Sequence, residues 1–499
     1  MQELADFTAR AGALGTAADR CGIAGLPCDR PFPMKGLRET DFAYQAVYRY
    51  LTCLINEIGS ETPIKLPSLR QLAERLNVSI STIQYAYSLL EKEGRVYSVA
   101  KSGYYAMPVS LNASFCGGND LLETLYVSAR RPGMLVMSTD EPALLQSLDS
   151  PLLLLERELV RQYPRQQQPH SQPCGELELR TALAARYTTS PTRYWHADDV
   201  YIGADLRGVL EILMSVLGLK GATVLVESPC DWAILRLLQA GGVQVIELPI
   251  ADTGCLDLQL LERLLTTETV RLAMLSSGVS MPRGSLMSAD NRQRVARLLQ
   301  QHDCWVLEND VYGELGHEPN GQRFRDLLDP ERLIVFSTFE KFMGPEAPYG
   351  YLLSRQLSAE LQRNFLLRSF RLSPIRQKAI ARLYSSGRID QHLQVLRRLL
   401  SERKARMIQV VCERLGDSLE WVDPAGGATL WARSLRPVDM RRVFQRMLKQ
   451  SVVIAPGELF SLQGLHSQHV RLSHGFSGQH DLETAMAMLA DALRLELTD

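Results

Sequence analysis

Nine cysteines are scattered along 499 residues without one Cys-x-x-Cys pair, which argues against a zinc site or a disulfide framework and predicts reduced thiols. Net charge is almost missing as well. The 55 Lys and Arg against 56 Asp and Glu leave −1, so any affinity for nucleic acid has to come from local placement of cations. No apolar run is long enough to span a bilayer and no secretory leader is recognisable, so a cytoplasmic location with no membrane partner is expected. Internal repeats and low-complexity tracts are lacking too. What is present is 45% hydrophobic content in a chain longer than one ordinary domain, enough for a large core and two or three domains.

The most informative stretch runs from Leu66 to Gly103, LPSLRQLAERLNVSISTIQYAYSLLEKEGRVYSVAKSG. Pro67-Ser68 precedes an amphipathic run, Leu69 to Leu76, with Leu69, Leu72, Ala73 and Leu76 on one face. Asn77-Val78-Ser79 reads as a turn, and Ser79 or Ser81 is placed to cap a further helix. In that helix Ile83, Ala86, Tyr87 and Leu90 face inward, leaving Thr82, Gln84 and Tyr85 outside. A helix with hydroxyl and amide groups in its first turn suits the major groove, its dipole facing phosphate. Arg95 to Val99, Lys101-Ser102-Gly103 and Tyr104-Tyr105-Ala106 read as a two-stranded wing with a basic glycine tip. The alternative is a helical hairpin that only packs.

This segment resembles the winged helix-turn-helix of the GntR family, with its LPS-x-R-x-LA, VS-x-x-T and glycine-tipped wing, over about residues 38 to 108. The resemblance implies that Arg70, Ser79, Thr82, Gln84, Lys101 and Gly103 fall on DNA-contacting positions. The position after Ser79, often arginine in the family, is Ile80, so base preference is expected to differ. Residues 1 to 37, with Cys21 and Cys28, form an N-terminal extension without assigned function. Residues 109 to 120, with Gly117-Gly118, read as a flexible linker.

From Leu121 onward short β-branched runs alternate with amphipathic helices. The runs are Thr223 to Glu227, Val243 to Glu247, Leu272 to Leu275, Trp305 to Leu307, Leu333 to Phe336 and Tyr349 to Leu353; Trp232 to Gly241 and Ala289 to His302 are two of the helices. Strands apolar on both faces with helices between them predict a doubly wound, mostly parallel α/β sheet. Chemistry in such a sheet belongs at strand ends. Three are notable: Glu227-Ser228-Pro229-Cys230, Glu308-Asn309-Asp310-Val311-Tyr312, and Ser337-Thr338-Phe339-Glu340-Lys341. A lysine just after a buried strand, with a hydroxyl three residues before it, suits Schiff-base chemistry on a phosphorylated aldehyde.

Together these features resemble the fold-type I, pyridoxal-phosphate-dependent aminotransferases, over roughly residues 125 to 499. Gly426-Gly427-Ala428, Ala455-Pro456-Gly457 to Phe460 and Val470-Arg471-Leu472 carry the resemblance into a smaller C-terminal α+β domain. A GntR reader fused to such a domain is the arrangement of MocR-type transcriptional regulators. The implied layout is a large domain at 121–385 and a small one at 386–499. The resemblance implies pyridoxal phosphate as cofactor: Lys341 matches the Schiff-base lysine, Thr338 the phosphate hydroxyl, Tyr312 the partner of the phenolate, Trp232 a ring-stacking aromatic and Arg471 the carboxylate-binding arginine. Ala204 lies in the phosphate-binding turn.

Four departures predict that this cofactor is held weakly or not at all. Asn309 stands where an aspartate would keep the pyridine nitrogen protonated, although Asp310 offers a carboxylate in a shifted register. Met281 replaces the asparagine of Asn-Pro-x-Gly, Pro348 falls where a phosphate arginine is expected, and Asp205 puts a carboxylate beside the phosphate turn. No metal is expected, His466, His469 and His474 lacking an acidic or thiol ligand at suitable spacing. The basic run Arg397 to Arg406 reads as a solvated helix face. The expected protein is a homodimeric DNA-binding regulator that binds a double-stranded operator with repeated half-sites and senses a small-molecule effector. The alternatives are a working aminotransferase with a DNA-binding appendage, and a regulator that has dropped the cofactor and uses the cleft otherwise.

Overall fold

The computed structural model describes residues 43–58, 64–92, 95–99, 102–106, 120–146, 149–163, 172–276, 278–317, 321–368, 370–476 and 482–496. Lys101, the extension with Cys21 and Cys28, and nearly all of the expected linker lie outside the described residues. The chain divides into two compact units, Met1–Glu123 and Thr124–Asp499.

In the first unit the helices are Ala43–Ile58, Leu69–Leu76 and Ile80–Lys92. Ser68 starts the second of them with a capping box: its hydroxyl accepts from the Gln71 N–H, and the Gln71 side chain accepts from the Ser68 N–H. Asn77 ends it in the left-handed region at φ 52°, a conformation its short polar side chain tolerates. Ser79 then caps the third helix, its Oγ accepting from the Thr82 N–H at 3.1 Å. The faces follow the periodicity, with Leu72, Ala73, Leu76, Ile83, Ala86, Tyr87 and Leu90 buried in one cluster with Val47, Leu51 and Ile55. Each fully buried large apolar side chain contributes about 1.5–3 kcal/mol. Tyr87 also donates to the Pro67 carbonyl at 2.8 Å and stacks on Tyr104, which ties the helix to the wing. The wing strands Val96–Val99 and Gly103–Ala106 pair antiparallel, and Ile64–Lys65 adds the third strand. Gly103 opens the returning strand at φ 114°, where a side chain would be strained. This is a winged helix-turn-helix.

The second unit is built on a seven-stranded sheet in the order Val200–Ile202, Gly350–Leu353, Leu333–Thr338, Trp305–Asn309, Val270–Ser276, Thr223–Ser228, Gln244–Pro249. Five of these are mutually parallel neighbours, and helices such as Trp232–Ala240 and Ala289–Gln301 lie between strands along the chain. The mostly parallel expectation holds with one exception: Gly350–Leu353 runs antiparallel to both neighbours. Its composition is as apolar as the rest because both its faces are buried, and burial does not encode direction. Gly350 sits where an added Cβ would lie 2.6 Å from the backbone of Asp205 and Leu206. Only glycine lets this strand pass so close to the helix start at Leu206–Val216.

The C-terminal part carries a four-stranded antiparallel sheet, Leu419–Trp421, Thr429–Ser434, His469–Ser473 and Ala455–Pro456, with the helices Arg388–Leu415, Met440–Lys449 and Leu482–Glu496. The early strand Leu135–Val136 pairs in parallel with Val452–Val453, so chain from before the large sheet is woven into this part. Three cations of the basic run are matched by acids: Arg397 to Glu314, Lys404 to Asp423 and Arg406 to Glu483. No helix among the described residues is long and apolar enough to cross a membrane.

Candidate functional site

The ends of Thr223–Ser228, Trp305–Asn309 and Leu333–Thr338 lead into segments that share one cleft of about 690 Å³. Its wall includes Asn309, Tyr312, Lys341, Trp232, Arg471, Met281, Pro348 and Asp205. Three sequence-predicted residues, Thr338, Ala204 and Asp310, are not on that wall. Thr338 is fully buried, its hydroxyl donating to the Tyr349 carbonyl and accepting from the Glu340 N–H. Ala204 packs against the core.

Lys341 sits on a single helical turn, Glu340–Met343, that follows its strand directly. Its ammonium donates to Asp140 Oδ1 at 2.8 Å. The same carboxylate accepts from the Tyr312 hydroxyl and lies 3.6 Å from the Arg471 guanidinium. Asp140 thus joins the three groups expected to serve a Schiff base, a phenolate and a substrate carboxylate. Burial works against the Lys341 ammonium, but the Asp140 charge beside it prevails and holds its pKa well above the ordinary lysine value. Burial likewise opposes the Asp140 anion, yet Lys341 and Arg471 pull its pKa below the usual carboxylate range. Burial, then Asp140, push the Tyr312 phenol far up, so it stays protonated. Arg471 is 1% exposed, donates to the Ser138 carbonyl, and stacks on Trp232 at 4.4 Å and Phe460 at 4.8 Å. The face of Trp232 is therefore already occupied by a cation, while its indole N–H donates to Tyr126 at 3.0 Å.

Elsewhere on the wall is Asn309, whose side-chain oxygen accepts from the Val311 N–H. Asp310 points elsewhere. Its carboxylate is committed to Tyr187 at 2.9 Å, Arg323 at 3.2 Å and Arg325 at 3.3 Å, beside a fully buried Glu308 that also binds Arg325. Among the described residues, this network holds Asp310 off the cleft wall. Asp205, also on the wall, caps the helix Leu206–Val216, its Oδ1 accepting from the Gly208 N–H at 2.7 Å. One amide at this helix start, that of Gly208, therefore already serves a carboxylate.

The model for class I and II aminotransferases matches residues 163–487. The chain belongs to that family. The model for bacterial regulatory proteins of the gntR family matches residues 43–105, so the aminotransferase-family chain carries a GntR reader and has the MocR-type architecture of a transcriptional regulator. The uncharacterized HTH-type transcriptional regulator YdcR of Escherichia coli is 26% identical over 456 residues, 87% of this chain and 95% of that protein. YjiR of the same organism, also an uncharacterized HTH-type transcriptional regulator, is 25% identical over 448 residues, 86% and 94%. In fold, the multiple substrate aminotransferase of Thermococcus profundus superposes with a TM-score of 0.69 at 20% identity, over 76% of this chain and 96% of that one. Family membership implies a pyridoxal phosphate site.

Sequence reasoning did not single out Asp140, Tyr126 or Asp231. Asp231 had a readable signal, since it caps the helix Trp232–Ala240 and stands just ahead of an amphipathic run. Asp140 had none beyond its place after the apolar Leu135–Val136. Of the three histidines, His466 bonds the buried Ser228 hydroxyl at 2.9 Å and His469 stacks on Trp431. Burial pushes the pKa of both down to about 4 and that of His474 to about 3, as packed neutral rings require.

Proposed function

We propose that this regulator uses its aminotransferase-like domain to dimerise and to sense a small-molecule effector, without transaminating, and that it binds pyridoxal phosphate weakly or not at all. The observation that carries the reading is the Asp205 cap. A phosphate dianion at the start of the helix Leu206–Val216 meets an anion already holding the Gly208 amide, and charges about 4 Å apart repel by several kcal/mol at moderate dielectric. The uncharged Asn309, Met281 and Pro348 add nothing to offset that, so the residues present do not fit the cofactor. Titrating the purified full chain with pyridoxal phosphate and following visible absorbance tests this. Little colour at micromolar concentration is expected; stoichiometric colour, with turnover of an amino acid, supports the working-aminotransferase reading, which Lys341 and Arg471 on one cleft favour.

For the reader, the proposal is that Arg70 and Gln84, both exposed, together with Thr82, Lys101 and the Gly103 wing contact operator DNA in the cytoplasm. Pairing of two chains places two readers on repeated half-sites, raising effective concentration without a strongly basic surface. Exposed Leu153, Leu154, Leu366 and Leu367 supply apolar area for a partner copy. Sedimentation should show a dimer at micromolar concentration, and an Arg70→Ala, Thr82→Ala double variant should lose operator affinity.

A further inference from the structure

We propose that Asp140 is a tethered anion that occupies the cleft in place of an external carboxylate and closes Lys341 to carbonyl compounds. The inference deepens the non-catalytic reading of this cleft but stands on different residues from the Asp205 cap.

Asp140 is not a loosely placed side chain. The segment leading to it is fixed to the C-terminal sheet by Leu135 N–H to the Ser451 carbonyl, Met137 N–H to the Val453 carbonyl and Ser473 N–H to the Met137 carbonyl, each 2.8 Å. Arg471 reaches the Ser138 carbonyl. The backbone therefore delivers one carboxylate to a point where it meets Lys341 at 2.8 Å, Arg471 at 3.6 Å and the Tyr312 hydroxyl. An external carboxylate seeking Arg471 finds the position filled.

The consequence for Lys341 is chemical. Imine formation needs the nitrogen lone pair: it attacks the carbonyl carbon, a C–N bond forms, and oxygen leaves as water after proton transfer. An ammonium donating to a carboxylate has no lone pair to offer. With the carboxylate gone, a buried amine beside the Arg471 cation favours its neutral form, as in other activated lysines.

Asp140→Asn changes the charge and keeps the shape. The probe is pyridoxal, which lacks the phosphate and so bypasses Asp205, with cyanoborohydride delivering hydride to any imine and fixing it as a secondary amine. Mass spectrometry reads the adduct on the Lys341 peptide of the full chain, from about pH 6 to about pH 10. In the wild type, labelling at neutral pH should be slow and should climb only at high pH. In Asp140→Asn it should be about ten-fold faster or more, since each unit of lowered lysine pKa raises the amine fraction about ten-fold, and should level off earlier. Asp140→Ser, which retains a small polar side chain, should behave likewise and guards against a folding defect in the first variant. Equal rates and pH profiles in wild type and both folded variants overturn the lock while leaving weak pyridoxal phosphate binding intact. Tight binding of pyridoxal phosphate by the wild type without imine colour, together with slow labelling by pyridoxal, overturns the Asp205 argument and leaves the lock standing, whereas wild-type imine colour at Lys341 overturns the lock.

Discussion

Ser79 separates two roles that the reader's sequence pattern merges. The family resemblance puts it on a DNA-contacting position, while its hydroxyl accepts from the Thr82 N–H at 3.1 Å and lies 2.8 and 2.7 Å from the Ser81 and Thr82 hydroxyls. If its work is capping, Ser79→Ala should cost about 1 kcal/mol of helix stability. For a unit of this size that is roughly 4–8 °C in Tm were it to unfold alone. Ser79→Asp keeps an acceptor for the same amide and suits the helix dipole, so stability should be retained or gain about 0.3–1 kcal/mol. The added charge, however, faces DNA phosphates across solvent, at about 1 kcal/mol per half-site, or about thirty-fold in Kd over two half-sites. Hydrogen exchange of the Ile80–Lys92 segment in the full chain reads the first effect, and fluorescence anisotropy on an operator selected in vitro reads the second. Loss of operator affinity in Ser79→Ala with unchanged exchange protection refutes the cap argument, because the hydroxyl must then be touching DNA.

Three further outcomes follow from other parts of the molecule. Arg325→Met strips a partner from both the fully buried Glu308 and Asp310 and should destabilise the chain by about 3–5 kcal/mol; a loss under about 1 kcal/mol in denaturant titration contradicts the buried network. Glu227, buried and accepting from the Ser276 N–H and the Ser280 hydroxyl, has its pKa raised by burial to about 7. A carboxyl raised in the folded state stabilises fully below its unfolded pKa, and that contribution is lost as pH rises through about 7. The stability of Glu227→Gln should therefore be flatter than wild type between about pH 4.5 and about pH 7.5, and parallel curves would dispose of the shift. Ile80, 47% exposed at the first position of the recognition helix, offers a methyl-rich surface suited to a thymine methyl. Replacing thymine by uracil at one operator position should weaken wild type but not Ile80→Ala, and identical uracil penalties in both proteins would exclude that contact.

The reader was legible because its instructions are local. Caps, turn and inward faces are all written within neighbouring residues, and the distinction between buried Tyr87 and exposed Tyr85 follows from helical spacing alone. The large sheet was legible in composition but not in direction. Val200–Ile202 is too short for a period to show, and Gly350–Leu353 gives no sign that it runs backwards. At the cleft, departures from the family pattern could be read one position at a time at Asn309, Met281 and Pro348. What accompanies them could not. Asp205 was readable as a charge near a phosphate turn, yet its structural work is to cap a helix, a role that Asp-x-x-Gly before an apolar run advertises.

Asp140 shows why the remainder escaped. Its partner Lys341 is 201 residues away in sequence, and Tyr312 and Arg471 are reached from separate elements, so no window of the chain contains the constellation. Motif reasoning asks whether the groups of a known reaction are present, and at Lys341, Tyr312 and Arg471 they are. The presence of all three says nothing about a fourth group that satisfies them. In a low-dielectric cleft two cations and a phenol need an anion, and the fold provides one from its own chain. A retained set of catalytic-looking cations therefore becomes informative only when the source of their countercharge is known: an external carboxylate leaves a site open to ligands, whereas an internal one makes ligand entry compete with an ion pair already formed.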